Sequence, residues 1–206
     1  MKKLAYVAGR NLKHELFGHF IITLFLCLLV PVIFGLNNLD RQMAALPLER
    51  IVILTGILIM VPIFMPEQDR TIFDVMYTKA TAPAYIYTVR TAYSVIIVLL
   101  IPAVFTGTMY FLQSEVTLAH YLGTVSSALF LGGIGALTLA VTNNIAAAYM
   151  LPVICYVVCL ATRSLKMFDV MMMTHGILNG KPYQMAAGII LAAAAVIIAG
   201  SRRRLL

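Results

Sequence analysis

Long apolar stretches separated by short polar segments run through the whole chain. Stretches of this length predict membrane-spanning helices, because about 20 apolar residues cross the hydrocarbon core of a bilayer. Six are present, at residues 17–36, 51–66, 91–112, 118–141, 145–162 and 183–200. We therefore predict an all-α integral membrane protein, a single transmembrane domain over residues 1–206. The second stretch is the shortest and covers only about 24 Å.

The N-terminal residues have a different pattern. In residues 1–16, apolar side chains such as Leu4 and Leu12 alternate at helical spacing with Arg10 and Lys13. Such an amphipathic pattern is typical of a helix that lies in the membrane interface. We predict an N-terminal elbow helix here, followed by a retained first span rather than a cleaved signal peptide.

Charged residues concentrate in the connections. The predicted loop between the first two spans carries Asp40, Arg41, Glu49 and Arg50. The segment 67–90 is richer, with six charged residues, whereas residues 91–162 contain one, Glu115. The six are Glu67, Asp69, Arg70, Asp74, Lys79 and Arg90.

Within that segment, Asp74, Thr78 and Thr81 form one polar stripe at helical spacing. The stripe predicts a short surface helix over 71–81. Pro83 should stop it, because a residue before proline avoids the helical region, and the chain should turn before entering the bilayer near Arg90.

The distribution of Lys and Arg predicts the topology. With six spans, ten of these residues fall on the side of the termini and five on the other side. Basic residues favour the cytoplasm, so we predict a multi-pass protein of the cell membrane with both termini cytoplasmic. The loop 163–182 goes against this rule, since it carries three basic residues.

Composition supports membrane placement: 62% of residues are hydrophobic and 11% are charged. The net charge of +7 comes from residues that flank apolar stretches, where they contact anionic lipid headgroups. Nucleic-acid binding is therefore not expected.

The segment between the second and third spans resembles that of the membrane subunits of type-2 ATP-binding cassette exporters. The resemblance rests on Glu67 at the end of a span, Thr71, the amphipathic stretch through Asp74, Pro83 and Arg90. Position 70 is Arg where the family has Gly. The tight turn at 142–144 and the segment 163–182 resemble that family's cytoplasmic hairpin and its short outer helices.

The resemblance implies that the 71–81 helix couples the chain to a separate ATPase subunit. It also implies a second permease subunit, as a homodimer or heterodimer. The chain itself has no P-loop, since Gly176 to Pro182 is one residue short and lacks the required Ser or Thr. ATP and Mg²⁺ would bind the partner, with no cofactor in this chain. The predicted coupling residues are Glu67, Asp69, Arg70, Thr71, Asp74, Thr78, Lys79 and Pro83.

Small residues form a stripe on the fourth span. They recur every four positions, at Ala128, Gly132, Ala136 and Ala140. Such a stripe lets another helix approach closely, either within one subunit or from a second one.

Two other groups of residues suggest alternatives. Met171, Met172, Met173 and His175 carry soft ligands that suit copper or silver, although Met also fills packing gaps. Cys155 and Cys159, one turn apart, favour packing over metal binding. A catalytic site is not expected, because the spans hold no pairing of His with Glu and no Ser with a basic partner.

We therefore predict a non-enzymatic permease subunit of an ATP-driven exporter. An apolar interior favours an amphiphilic, lipidic or peptide-like cargo. The alternatives are a permease that handles copper or another soft metal through Met171 to His175, a non-transporting membrane scaffold or immunity protein, and, least of all, a membrane-embedded enzyme.

Overall fold

The computed structural model describes residues 16–65, 83–161, 169–176 and 178–201. Every regular element in these ranges is helical, as the apolar stretches predict. The helices are α1 Leu16–Phe34, α2 Arg41–Phe64, α3 Pro83–Phe111, α4 Leu118–Thr142, α5 Ile145–Ala161 and α6 Lys181–Ser201. A short 3₁₀ turn, Met173–His175, precedes α6.

Four of these helices, α2, α3, α4 and α6, are long and apolar enough to cross a membrane. The other two, α1 and α5, are apolar but shorter in the described ranges. Large apolar side chains are exposed along α1, α3 and α5, for example Val32, Phe111 and Met150. Because water disfavours apolar surface on this scale, the surface is that of a membrane protein.

Helix α4 forms the centre of the bundle, because glycines in α4 and in its neighbours let the helix backbones approach closely. The backbone of α2 meets α4 where Gly56 lies against the carbonyl oxygen of Ala128. On another side, a Cβ at Gly133 would stand 2.8 Å from the carbonyl oxygen of Gly188 in α6. Only residues without a side chain permit such close helix approach.

A second apolar cluster lies where α1, α2 and α3 meet, around Val30, Leu48 and Met109. Next to this cluster, hydrogen bonds join the loop between α1 and α2 to the loop between α3 and α4, and the start of α2 to the start of α4. Ser114 donates through its hydroxyl to the carbonyl oxygen of Leu36 at 2.6 Å. The ring of His120 contacts the carbonyl oxygen of Arg41 at 3.0 Å. These bonds join the connection after α1 and the start of α2 to the residues around the start of α4.

The second helix differs most from the prediction. The sequence pattern placed Asp40, Arg41, Glu49 and Arg50 in a loop and began the span at residue 51. In the structure α2 begins at Arg41. Glu49 therefore lies within the helix, about 12 Å along its axis from the first residue. Burial of this charge is possible because other parts of the chain supply its partners.

The start of the third helix also differs. The third span was predicted to begin at residue 91, whereas α3 begins at Pro83. A proline is well tolerated there, because the first N–H groups of a helix have no partner within the helix. The helix that Pro83 was predicted to stop lies outside the described residues. Arg90, which was predicted to lie at the membrane surface, is a residue of α3, and its side chain is buried where α3 meets α2.

The remaining boundaries differ less. The fourth span ends one residue later than predicted, and the last begins at Lys181 rather than residue 183. Lys181 was predicted in a loop and is instead buried at the start of α6. The predicted elbow helix lies outside the described residues, except that Leu16 begins α1, and so does the predicted surface helix over 71–81.

Candidate functional site

A cluster of polar side chains is buried at the end of the bundle where α2, α4 and α6 begin. We call it the buried polar network, and we call this end of the bundle the network end. Its members come from three helices and from residues 169–176, which we call the strap. The buried members are Glu49, Ser127, Asp169, Lys181 and Gln184, and Thr174 is a partly buried member.

Glu49 has no exposed surface, and four donors reach its carboxylate. The backbone N–H groups of Met173 and Thr174 each donate to it at 2.8 Å. The Thr174 hydroxyl and the Lys181 ammonium group donate at 2.7 Å. Hydrogen bonds to a charged group are stronger than neutral ones, so the strap is held firmly against α2.

Lys181 completes the ion pair. Besides Glu49, its ammonium group donates to the hydroxyl of Ser127 and to the carbonyl oxygen of Val170, both at 2.8 Å. All three ammonium protons therefore have an acceptor. Because both charges are paired and bonded, the pair can exist in an apolar interior.

The network extends further through Ser127, whose hydroxyl donates to the side-chain oxygen of Gln184 at 3.0 Å. The amide nitrogen of Gln184 donates in turn to the carbonyl oxygen of Asp169 at 2.7 Å. The Asp169 carboxylate accepts from the N–H of Met171 at 2.9 Å. Together these bonds join α2, α4, α6 and the strap.

The local structure of α2 places Glu49 in this position. Residues Leu48–Val52 form a π turn, in which the N–H of Ile53 donates to Leu48 five residues earlier at 3.2 Å. A π turn contains one residue more than the α-helical turn, and such turns often occur at functional sites. The hydroxyl of Tyr156 in α5 donates to the carbonyl oxygen of Arg50 at 2.9 Å.

A second group of contacts lies at the opposite end of α2, where the chain enters and leaves residues 66–82. We call it the 66–82 end. Arg90 of α3 is buried and donates to the carbonyl oxygen of Ile63 at 3.2 Å. The rings of Phe64 and Tyr87 stack at a tilt, with centroids 5.2 Å apart. These contacts join α2 to α3.

Of the predicted coupling residues, the structure places only Pro83, at the first position of α3. The other seven lie outside the described residues, at positions 67–79. They are Glu67, Asp69, Arg70, Thr71, Asp74, Thr78 and Lys79. The structure therefore describes the two helix ends that flank the predicted coupling segment.

The small residues predicted to pack helices are all buried on α4. Beyond the contact between Ala128 and Gly56, a Cβ at Gly132 would meet the carbonyl oxygen of Gly56 at 2.7 Å. Ala136 and Ala140 belong to the same apolar core. At Ala128 and Gly132 this face of α4 therefore packs within the chain, against α2.

The methionines proposed as metal ligands also lie in the packed interior. Met171, Met172 and Met173 are buried, whereas His175 is exposed. The sulfur of Met173 lies against Gly123 of α4. Within the described ranges, no group of three or more His, Cys, Asp or Glu side chains is placed to hold a metal ion.

Sequence reasoning placed both members of the ion pair in loops and so missed the network. One pattern pointed to it. Apolar residues continue from Met43 to Leu48 and resume at Ile51, so only Glu49 and Arg50 interrupt an otherwise membrane-length stretch. A carboxylate in such a stretch is a candidate for a buried partner. Its partner Lys181 is 132 residues away, and no local pattern identifies it.

The chain matches no family model, no curated protein and no solved structure. The resemblance to exporter subunits therefore stays a prediction from the residues that carry it.

Proposed function

We propose that the chain is the membrane-spanning permease subunit of an ATP-driven exporter in the cell membrane. A separate ATPase subunit would bind ATP and Mg²⁺ and dock on residues 66–82 from the cytoplasm. The cargo would be amphiphilic, lipidic or peptide-like. The observation that carries this proposal is the joining of α2 and α3 at the 66–82 end through Arg90, Ile63, Phe64 and Tyr87.

A segment that transmits force must connect to helices that move as one unit. At the 66–82 end, the buried bond from Arg90 to Ile63 lies within one turn of the end of α2. The stacked rings of Phe64 and Tyr87 add apolar contact at the same place. A push on residues 66–82 would therefore reach α2 and α3 together.

The packing of α2 against other helices would transmit a displacement of α2 to the rest of the bundle. Gly56 holds the middle of α2 directly against the backbone of α4. Farther along, Val61 lies against Gly135, which also approaches α5 through the carbonyl oxygen of Ala148. Close-packed helices transmit displacement because their interiors contain little free volume. ATP-driven closure of an ATPase pair would thus tilt several helices at once.

The proposal includes six spans and a second permease subunit. Helices α1 and α5 have 19 and 17 residues in the described ranges. They would cover about 28 and 26 Å, close to the thickness of the hydrocarbon core. Six spans would place both termini in the cytoplasm together with residues 66–82. The exposed apolar faces of α1, α3 and α5 would contact lipid or the second subunit.

The first test is composition of the purified complex. The affinity-tagged chain is expressed with the reading frames next to its gene and purified in mild detergent. We expect a P-loop ATPase to co-purify with it. Purification of the chain without any ATPase would contradict the proposal and favour a scaffold or immunity protein.

The second test uses the reconstituted complex in liposomes. We predict that Asp74→Lys abolishes the stimulation of ATPase activity by the chain, because it reverses a charge on the predicted docking helix. Membrane insertion should be unchanged. The matched control is Glu115→Lys, which reverses an exposed carboxylate in the connection between α3 and α4. Equal activity of the two variants would refute the role of Asp74.

A further inference from the structure

The π turn in α2 and the strap are two parts of one contact. The turn Leu48–Val52 carries Glu49, and the strap supplies three of the four donors to its carboxylate. The fourth donor, Lys181, also bonds the strap through Val170. The conformation of the turn therefore determines whether the Glu49 carboxylate is in position to accept hydrogen bonds from the strap.

A π turn has an alternative conformation with regular α-helical bonds. Converting one into the other changes the register by one residue, which rotates one part of the helix relative to the other by about 100°. The later part of α2 is held against α4 at Gly56. If the later part stays in place, the earlier part, which includes Glu49, rotates and its carboxylate leaves the strap. The same rotation would displace Leu48 from the cluster around Val30 and Met109 and break the contact of His120 with the carbonyl oxygen of Arg41.

Two hydroxyl groups, one from α5 and one from α2 itself, stabilise the π conformation. In this turn the carbonyl oxygen of Arg50 accepts from the hydroxyl of Tyr156. The hydroxyl of Thr55 donates to the carbonyl oxygen of Val52 at 2.6 Å. A regular α-helix would pair these carbonyl oxygens with its own N–H groups. Tyr156 thus favours the π conformation from a separate helix, without a bond to the strap.

Lys181 keeps partners when Glu49 leaves. Its bonds to Ser127 and Val170 do not involve α2. Asp169 adds a second negative charge that acts on Lys181. Loss of the bond to Glu49 would therefore leave Lys181 partly compensated, which costs less than an isolated buried charge.

We propose that the π turn, Glu49 and the strap form a two-state latch at the network end of the bundle. In the closed state the turn is π and the strap is bound. In the open state α2 is regular through residues 48–52, and the strap is released from α2 and uncovers Ser127, Gln184 and Gly123. This proposal does not depend on the ATPase partner.

Hydrogen exchange of the purified chain in lipid nanodiscs tests the latch. Peptides that cover the strap, the π turn and the middle of α4 are compared by mass spectrometry. The decisive variant is Tyr156→Phe, which removes only the hydroxyl bonded to Arg50. We expect exchange in both the turn and the strap to become about threefold faster, the effect of one lost hydrogen bond. Exchange in α4 should not change.

Two further variants complete the experiment. Glu49→Gln removes the charge that anchors the strap and should accelerate strap exchange more than Tyr156→Phe does. The matched control is Tyr149→Phe, on the same helix and half-buried, which should change neither peptide.

The latch is overturned if Tyr156→Phe accelerates the turn but leaves the strap at the wild-type rate. It is also overturned if neither peptide changes, or if α4 accelerates as much as the strap, which would mean global opening. Acceleration of turn and strap together, with α4 unchanged, supports it.

Discussion

The two ends of α2 are joined to the rest of the bundle in different ways. At the network end, Glu49 receives four short hydrogen bonds, one of them from a buried lysine. At the 66–82 end, Arg90 donates to Ile63 and two rings stack. Four hydrogen bonds that converge on one buried carboxylate fix its geometry, whereas the ring contact of Phe64 with Tyr87 tolerates small displacements. We infer that the 66–82 end moves more easily and that the network end resists movement until the π turn converts.

The largest effect should come from the ion pair. We predict that Glu49→Met or Lys181→Met alone lowers the free energy of unfolding by about 3 to 5 kcal/mol, because each leaves a buried charge without its partner. The double variant should lose less than the sum by at least about 1 kcal/mol. Unfolding in mixed detergent micelles measures all three.

The control for the ion pair is Glu115→Gln, which changes an exposed carboxylate. It should alter stability by less than about 0.5 kcal/mol. Additive losses in the double variant would show that Glu49 and Lys181 act independently, and the contrast between the two ends would then have to be abandoned.

An intermediate effect is expected at the 66–82 end. We predict that Arg90→Met lowers the free energy of unfolding by about 1 to 3 kcal/mol, because the variant loses a charged donor to Ile63. The same unfolding measurement applies. Arg41→Met, at an exposed position on α2, is the control and should be near neutral. A loss at Arg90 greater than that at Glu49 would reverse the comparison.

The smallest effect should come from a hydroxyl inside the network. Ser127 accepts from Lys181 and donates to Gln184, so Ser127→Ala should lower the free energy of unfolding by about 1 kcal/mol. Its neighbour Ser126 donates to the carbonyl oxygen of Leu122 in its own helix. Ser126→Ala should therefore cost less, and equal costs would show that the bridge through Ser127 adds nothing.

Hydropathy predicted the helices because it reports a local requirement. An apolar stretch must satisfy its own backbone groups, and a helix does this with bonds inside the stretch. This explains why α1, α4 and α5 agree with the prediction within one or two residues at the boundaries that the structure describes. The same reasoning failed where a charge interrupts a helix, as at Glu49, because hydropathy assigns every charge to the surface.

The buried site was hardly predictable. The sequence indicated the small-residue face of α4 around Gly132, since spacing alone places those residues on one side of a helix. It did not indicate which helix packs there. For the strap's methionines the sequence left two alternatives, a soft-metal site and packing; in the structure they are buried and one lies against Gly123.

The sequence by itself determined that this protein is all-helical, that apolar helices dominate it, and which residues are small enough for close packing. These properties follow from composition and spacing along a few turns. Only the tertiary structure decided that Glu49 and Lys181 are a buried pair and that α2 contains a π turn beside Tyr156. The physical reason is that a buried charge depends on partners from distant parts of the chain, which meet only when the helices pack.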